Sequence, residues 1–204
     1  SAIIKMLNRL GVKKIYNYNI LGVVSEHKYP QYDWVLQKLI DENYIVADVQ
    51  ANSLSQLVEK KDVFIGVSAK NLLKDNDVKN MNEDAIVFAL ANPEPEINPL
   101  IAKSAGARIV GTGRSDFPNQ INNVLVFPGL MKGALKARAR SITDEMKIIA
   151  CRTLADLVSD AELNEEFILP DIFDLRVVDA VAEAVYQAGT KIILTNYTFK
   201  TITH

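Results

Sequence analysis

Short, uninterrupted apolar runs at residues 63–67, 86–90, 108–111 and 124–127 punctuate the middle of the chain, and helical patterns fill the gaps between them. A strand with one face in water alternates apolar and polar positions, whereas a strand covered on both faces reads as a continuous run. The four runs therefore predict buried parallel strands covered by helices on both faces. Residues 99–105, stopped at Gly106, predict one of the helices that cross between them. Upstream, Ile3, Ile4, Leu7 and Leu10 fall on one face of a helix ended by Gly11, and residues 13–19 read as a further strand. Trp34, Val35, Leu39 and Ile40 give a helix within residues 32–43, and Ser53 opens a short helix through Leu57. Downstream the pattern turns helical: residues 130–140, a long helix opened by Ser141-x-x-Asp144, and residues 177–188 stopped at Gly189. Strand and helix in alternation predict an α/β fold with a doubly wound, mostly parallel sheet flanked by helices, followed by C-terminal helices.

Composition narrows the partners more than the fold. With 204 residues and 49% hydrophobic content, the chain can bury a core as one large domain or two small ones. A formal net charge of -2 gives no electrostatic case for nucleic acid or for an anionic membrane surface, so neither is expected as a partner. No apolar run approaches the roughly eighteen residues of a membrane span, and no signal peptide is visible. Cys151, the single cysteine, lies in a helical pattern with Met146, Ile149, Ala150, Leu154 and Leu157 and reads as a reduced core thiol. The acidic groups Asp144-Glu145, Asp156 with Asp160, and Glu165-Glu166 fall in or beside helical patterns and read as solvated helix faces. Neither His27 nor His204 sits in a metal-ligand pattern. No catalytic residue and no metal ligand is expected within this chain.

Candidate chemistry concentrates in loops next to the apolar runs. In Gly113 to Leu130, GRSDFPNQINNVLVFPGL, the amides Asn122 and Asn123 stand directly before Val124-Leu125-Val126-Phe127. That reads as an amide-bearing loop feeding a buried strand, a place to hold a small polar ligand above a sheet. Paired Asn residues also cap turns and bond their own backbone, and amides suit both tasks. Ala91-Asn92-Pro93 follows the run at 86–90, and Gly66-Val67-Ser68 closes the run at 63–67; open α/β sheets bind ligands at such carboxyl ends. Asn92 before a proline also suits a turn, and Ser68 also suits a helix N-cap. Arg114 could clamp a carboxylate or phosphate, or pair at the surface with Asp116.

These segments do more than suggest ligand loops. Together with DVFIGV (62–67), AIVFALA followed by NPEPEI (85–97), KGALKARARSITDEMK (132–147) and Ile168-Leu169-Pro170 ahead of Phe173-Asp174, they resemble the nicotinamide-binding domain of bacterial-type malic enzymes. The likeness runs in order from about residue 2 to about residue 187, and residues 192–204 fall outside it. The resemblance implies a Rossmann-like domain that binds NAD or NADP. It implies a whole protein, homodimeric and cytoplasmic or organellar, that converts malate to pyruvate and carbon dioxide with Mn or Mg. By resemblance Asn92 and Asn123 bind the substrate, Asn122 lies by the nicotinamide, and the backbone at Gly66, Val67, Ser68 and Asn92 lines the dinucleotide. Asn19 stands where such folds place an acid that bonds the adenosine ribose. An amide lacks the charge that repels a 2'-phosphate, so the usual basis for preferring NAD is weakened, while Asn19 also suits a loop turn.

The resemblance also marks what the chain lacks. None of the nine glycines supplies a G-x-G-x-x-G turn ahead of the first helix; Gly111-Thr112-Gly113-Arg114-Ser115-Asp116 imitates only its first half. The expectation is that residues 1–204 are one NAD(P)-binding domain, truncated just after the glycine loop. In the family the general-base lysine, the tyrosine acid and the metal carboxylates lie upstream of that loop. Alone, the chain is expected to be inactive. A catalytically idle nucleotide-binding or regulatory module, or another Rossmann-type dehydrogenase, is the alternative.

Overall fold

The computed structural model describes residues 2–201, with side chains described over residues 2–191. His204 therefore lies outside the described residues. The chain divides into two compact units, Ser1–Gly113 and Arg114–His204.

The first unit runs α1 (Ala2–Arg9), β1 (Tyr18–Asn19), β2 (Gly22–Val23), a 3-10 turn (Glu26–Gln31), α2 (Trp34–Asp41), α3 (Leu54–Val58), β3 (Val63–Gly66), α4 (Asp75–Lys79), β4 (Ile86–Ala89), α5 (Pro99–Ser104) and β5 (Ile109–Thr112). The strands β3, β4 and β5 form a parallel sheet in that order, and helices flank it in a Rossmann-like arrangement. Local signals place the helices. The Asp33 carboxylate accepts from Leu36 N–H at the start of α2, Ser53 Oγ accepts from Gln56 N–H at the start of α3, and Asn98 Oδ1 accepts from Leu100 N–H ahead of Pro99.

Period-2 geometry sorts the sheet into two faces. Val87, Ala89 and Val110 are buried on one, in a core with Leu54, Val58, Leu73, Val78, Met81, Ile97 and Ala102. Ile65, Ile86, Phe88 and Ile109 on the other are half-buried. The expectation of two fully covered faces therefore holds on one, because a continuous apolar run does not separate full from partial cover. Residues 13–19 also differ from expectation. Only Tyr18–Asn19 pairs, antiparallel with Gly22–Val23, and it joins no parallel ladder. The residues before it meet their partners singly: Ile15 C=O accepts from Val46 N–H at 2.8 Å and Asn17 C=O from Val24 N–H at 2.9 Å. Ile15 packs on a separate cluster of Val24, Tyr32, Leu39 and Ile45, so its apolar character serves packing without a ladder.

In the second unit a 3-10 turn (Asn123–Leu125) precedes α6 (Phe127–Lys136), α7 (Asp144–Asp156) and α8 (Leu175–Thr201). The run 124–127 is thus not a strand. Pro128 sits in the first helical turn, where its missing N–H costs nothing. Leu125, Leu130 and Ala134 instead share a helical stripe on a core with Met146, Ala150, Leu154, Val177, Val181 and Val185. Burying Val181 and Val185 fully contributes about 1.5–3 kcal/mol each. Thr143, not Ser141, caps α7, its Oγ1 accepting from Met146 N–H.

Gly189 does not stop the last helix. α8 continues through it, and a Cβ there would lie 2.6 Å from Met146 Cε and 2.8 Å from Ala137 Cβ. Gly133 of α6 likewise faces Val185 Cβ and the Ala182 carbonyl of α8 with no room for a side chain. These glycines set a close helix approach, a tertiary demand that overrides their low helix propensity.

Candidate functional site

Gly66, Ala89 and Thr112 lie in one row across the carboxyl ends of β3, β4 and β5. Here the loops expected to hold a ligand leave the sheet. Behind two of them stands Glu96, fully buried at 0% exposure. One carboxylate oxygen accepts from Ser68 N–H at 2.9 Å, and the other from Ala91 N–H at 3.0 Å. An ionised carboxylate is an acceptor at both oxygens, so the two donors match it. Each charge-assisted bond of this kind is worth about 1.5–3 kcal/mol, set against several kcal/mol for taking the ion out of water. The arrangement needs Gly66, because a Cβ there would sit 2.6 Å from Glu96 Oε1 and 2.8 Å from its Cγ.

Backbone bonds extend this junction: Asn71 N–H donates to Pro95 C=O, Leu73 N–H to Glu96 C=O, and Leu90 N–H to Gly66 C=O. Gly66, Val67, Ser68 and Asn92 are therefore brought to one place, with Val67 and Asn92 exposed and a cis peptide joining Asn92 to Pro93. Ser68 caps no helix; its N–H is taken by Glu96. Thr112, 1% exposed, carries a hydroxyl without a hydrogen-bond partner, the kind of buried polar atom that native sites pair with a ligand or water. Beyond the buried row, the exposed Val67, Ser68 and Asn92 at two adjacent strand ends and the unpaired Thr112 hydroxyl fit a dinucleotide lying across the sheet edge.

Asn19 stands apart in the β1–β2 hairpin. Its Oδ1 accepts from Leu21 N–H at 2.8 Å, closing an Asx turn. In the second unit Asn122 caps the 3-10 turn, its Oδ1 accepting from Val124 N–H at 3.1 Å, and Asn123 is exposed at the first position of that turn. Asn119 holds the segment from beneath. It is 7% exposed at φ +55°, its Nδ2 donates to Glu165 C=O and its Oδ1 accepts from Ile168 N–H. Asn tolerates the left-handed region better than most residues, which suits it to this post. Arg114 pairs with Asp116 through two bonds of 2.8 and 2.6 Å, and the guanidinium holds that carboxyl below its ordinary value.

Sequence reasoning missed Glu96, Asn119 and Thr112 as site-building residues. Glu96 lies inside the quoted NPEPEI segment, but an acid there reads as solvated, since carboxylates are rarely buried unless paired. Its partners lie 28 and 5 residues away, and only folding brings them together.

Other features of the described residues do not build a reactive centre. No group of three or more His, Cys, Asp or Glu among them could hold a metal ion, so these residues do not fit Mn or Mg. Burial raises the Cys151 thiol above its ordinary value, which disfavours a nucleophilic thiolate. A shallow hollow lined by Asp75, Lys79, Leu100, Ile101, Ser104 and Ala105 belongs to the outer helices α4 and α5, not to the strand ends. No helix among the described residues is long and apolar enough to cross a membrane.

The fold and the strand-end loops define a Rossmann-like α/β domain. Residues 10–190 match the family described as the NAD binding domain of malic enzyme. The chain belongs to that family. It is 46% identical over 188 residues to the bifunctional malic/malolactic enzyme of Bacillus subtilis (strain 168), covering 92% of this chain and 45% of the relative. It is 39% identical over 161 residues to the NADP-dependent malic enzyme of Escherichia coli (strain K12), covering 72% of this chain and 21% of the relative. Among solved structures, the malic enzyme from Pyrococcus horikoshii Ot3 superposes with a TM-score of 0.82 at 36% identity, over 93% of this chain and 45% of that one. The chain thus spans about half the length, or less, of the relatives it matches.

Proposed function

We propose that this chain is the dinucleotide-binding part of an enzyme that oxidises malate and decarboxylates it to pyruvate and carbon dioxide. The observation that carries the reading is the junction at Glu96, which sets two loops at the sheet's carboxyl edge in a chain of the malic enzyme NAD-binding family. A bound NAD or NADP would supply the hydride acceptor. The backbone at Gly66, Val67, Ser68 and Asn92 lines it, Asn19 meets the adenosine ribose, and Asn122 borders the nicotinamide. The amides of Asn92 and Asn123 orient the substrate dicarboxylate without adding charge. A carbonyl oxygen and an NH₂ group in each amide can bond the malate hydroxyl and carboxylate together. The general base, the general acid and the carboxylates for Mn or Mg are assigned to protein outside this sequence. The whole enzyme is proposed to be a cytoplasmic homodimer, with neither nucleic acid nor membrane as a partner.

The test is malate-dependent reduction of NAD and of NADP by the full-length protein with Mn present, alongside dinucleotide binding by the 204-residue chain. Pyruvate formation by the full-length protein, and binding without turnover by this chain, are expected. Tight dinucleotide binding with no turnover by the full-length protein would replace the proposal with an idle nucleotide-binding module.

A further inference from the structure

We infer that Glu96 is a positioning residue whose carboxylate sets the two dinucleotide loops in register before any ligand arrives; the inference rests on the proposed dinucleotide site. Glu96 is fully buried and cannot touch a ligand at the surface of the loops. Its two oxygens are spent on Ser68 N–H and Ala91 N–H, the donors next to Val67 and Asn92 at the ends of two adjacent strands. The paired register ends at Gly66 and Ala89, and the last bond between the two strands, Leu90 N–H to Gly66 C=O, stops short of Ser68 and Ala91. One anion bonded to both loops joins them beyond that point, and the Leu73–Glu96 and Asn71–Pro95 backbone bonds lock the segment carrying the anion.

Preorganisation of this kind raises affinity by lowering the ordering cost at binding. Removing it populates loop conformations that must be reordered, and apparent affinity falls by the fraction that remains competent. Glu96→Gln keeps the shape but replaces one acceptor with an NH₂ that faces an N–H donor. The carboxylate, not the side-chain volume, is therefore the part being tested.

The experiment uses the full-length protein and measures dinucleotide Kd and KM, kcat and thermal unfolding for wild type, Glu96→Gln, Glu96→Asp and Asp77→Asn. Asp77 is a control of similar burial, with an oxygen accepting from Lys74 N–H at 2.8 Å at the start of α4. Glu96→Gln is expected to raise dinucleotide Kd and KM about tenfold while kcat at saturation changes by less than about threefold. Glu96→Asp should fall between it and wild type. Asp77→Asn should lose stability with Kd unchanged. Amide exchange at Ser68 and Ala91 in ligand-free wild type gives a readout that needs no variant to fold: slow exchange supports the clamp and fast exchange overturns it. Wild-type affinity in Glu96→Gln, or an equal loss in Asp77→Asn, overturns the positioning role alone. Wild-type protein that binds neither dinucleotide overturns the proposed site and this role together.

Discussion

Replacing Gly66 with alanine tests the packing logic of the strand-end junction. Gly66 does not adopt a positive φ, so alanine is allowed by the backbone and should stabilise by about 0.4–1 kcal/mol through lost unfolded-state entropy. Against that gain stands the new Cβ, 2.6 Å from Glu96 Oε1 and 2.8 Å from Cγ, where carbon contacts normally lie at about 3.5–4 Å. A side chain on the surface would swing away, but Glu96 is fully buried and held by two donors. Relief therefore requires a shift of β3, at about 1–3 kcal/mol for overpacking, or loss of a charge-assisted bond at a similar cost. The net expectation is destabilisation of about 1–2 kcal/mol together with weaker dinucleotide binding. Chemical denaturation of the full-length variant, read by its midpoint at unchanged slope, measures the first, and titration calorimetry measures the second. A Gly66→Ala protein as stable as wild type, with undiminished affinity, would refute the reasoning.

Gly133→Ala tests the second unit in the same way. Propensity predicts a gain of up to about 1 kcal/mol, but the added methyl would meet Val185 Cβ at 2.8 Å and the Ala182 carbonyl, so a net loss of about 1–2 kcal/mol is expected in denaturant unfolding. A more stable variant would show that α6 and α8 can separate freely. The ion pairs Lys132–Asp179 and Lys136–Glu183 join the same helices, at 2.7 and 2.8 Å. Hydrogen bonds from Lys132 to Asp179, and from Lys136 and Gln187 to Glu183, lower both carboxyls from their ordinary values. A lowered folded value contributes stability that is fully present above the unfolded value, near pH 4–4.5, and is lost as pH falls through the folded value below it. Thermal unfolding between pH 6 and pH 2 should therefore be steeper in wild type than in Lys132→Met/Lys136→Met, and parallel curves would sink this assignment.

Much of this architecture is legible without coordinates because its signals are local. The strands near 63–67, 86–90 and 108–111, the helix start at Ser53 and the helix near 99–105 arise from runs and hydrogen bonds spanning a few residues, as does the stop at Gly106. The family likeness carried by GRSDFPNQINNVLVFPGL and FALANP is equally a property of the chain, and it agrees with the match over residues 10–190. Where local signals compete, they mislead. Val124 to Phe127 has the composition of a strand, but Pro128 and the stripe of Leu125, Leu130 and Ala134 make it the entry to a helix. Gly189 has the chemistry of a helix stop, but the helix passes through it.

What the sequence by itself determined is the strands near 63–67, 86–90 and 108–111, several helix ends and the domain family, because propensity, periodicity and motif are written within a few residues of one another. Tertiary structure alone decided which polar groups are buried and which glycines are contact points. Glu96 looks like a surface acid until Ser68 and Ala91 bring their N–H groups to it, and Asn119 looks like a turn residue until Glu165 and Ile168 take both ends of its amide. Gly133 and Gly189 look like weak points in helices until Val185 and Ala137 occupy the space a side chain would need. Hydrogen-bond partners and excluded volume are relations between distant parts of the chain, and they exist only once it has folded.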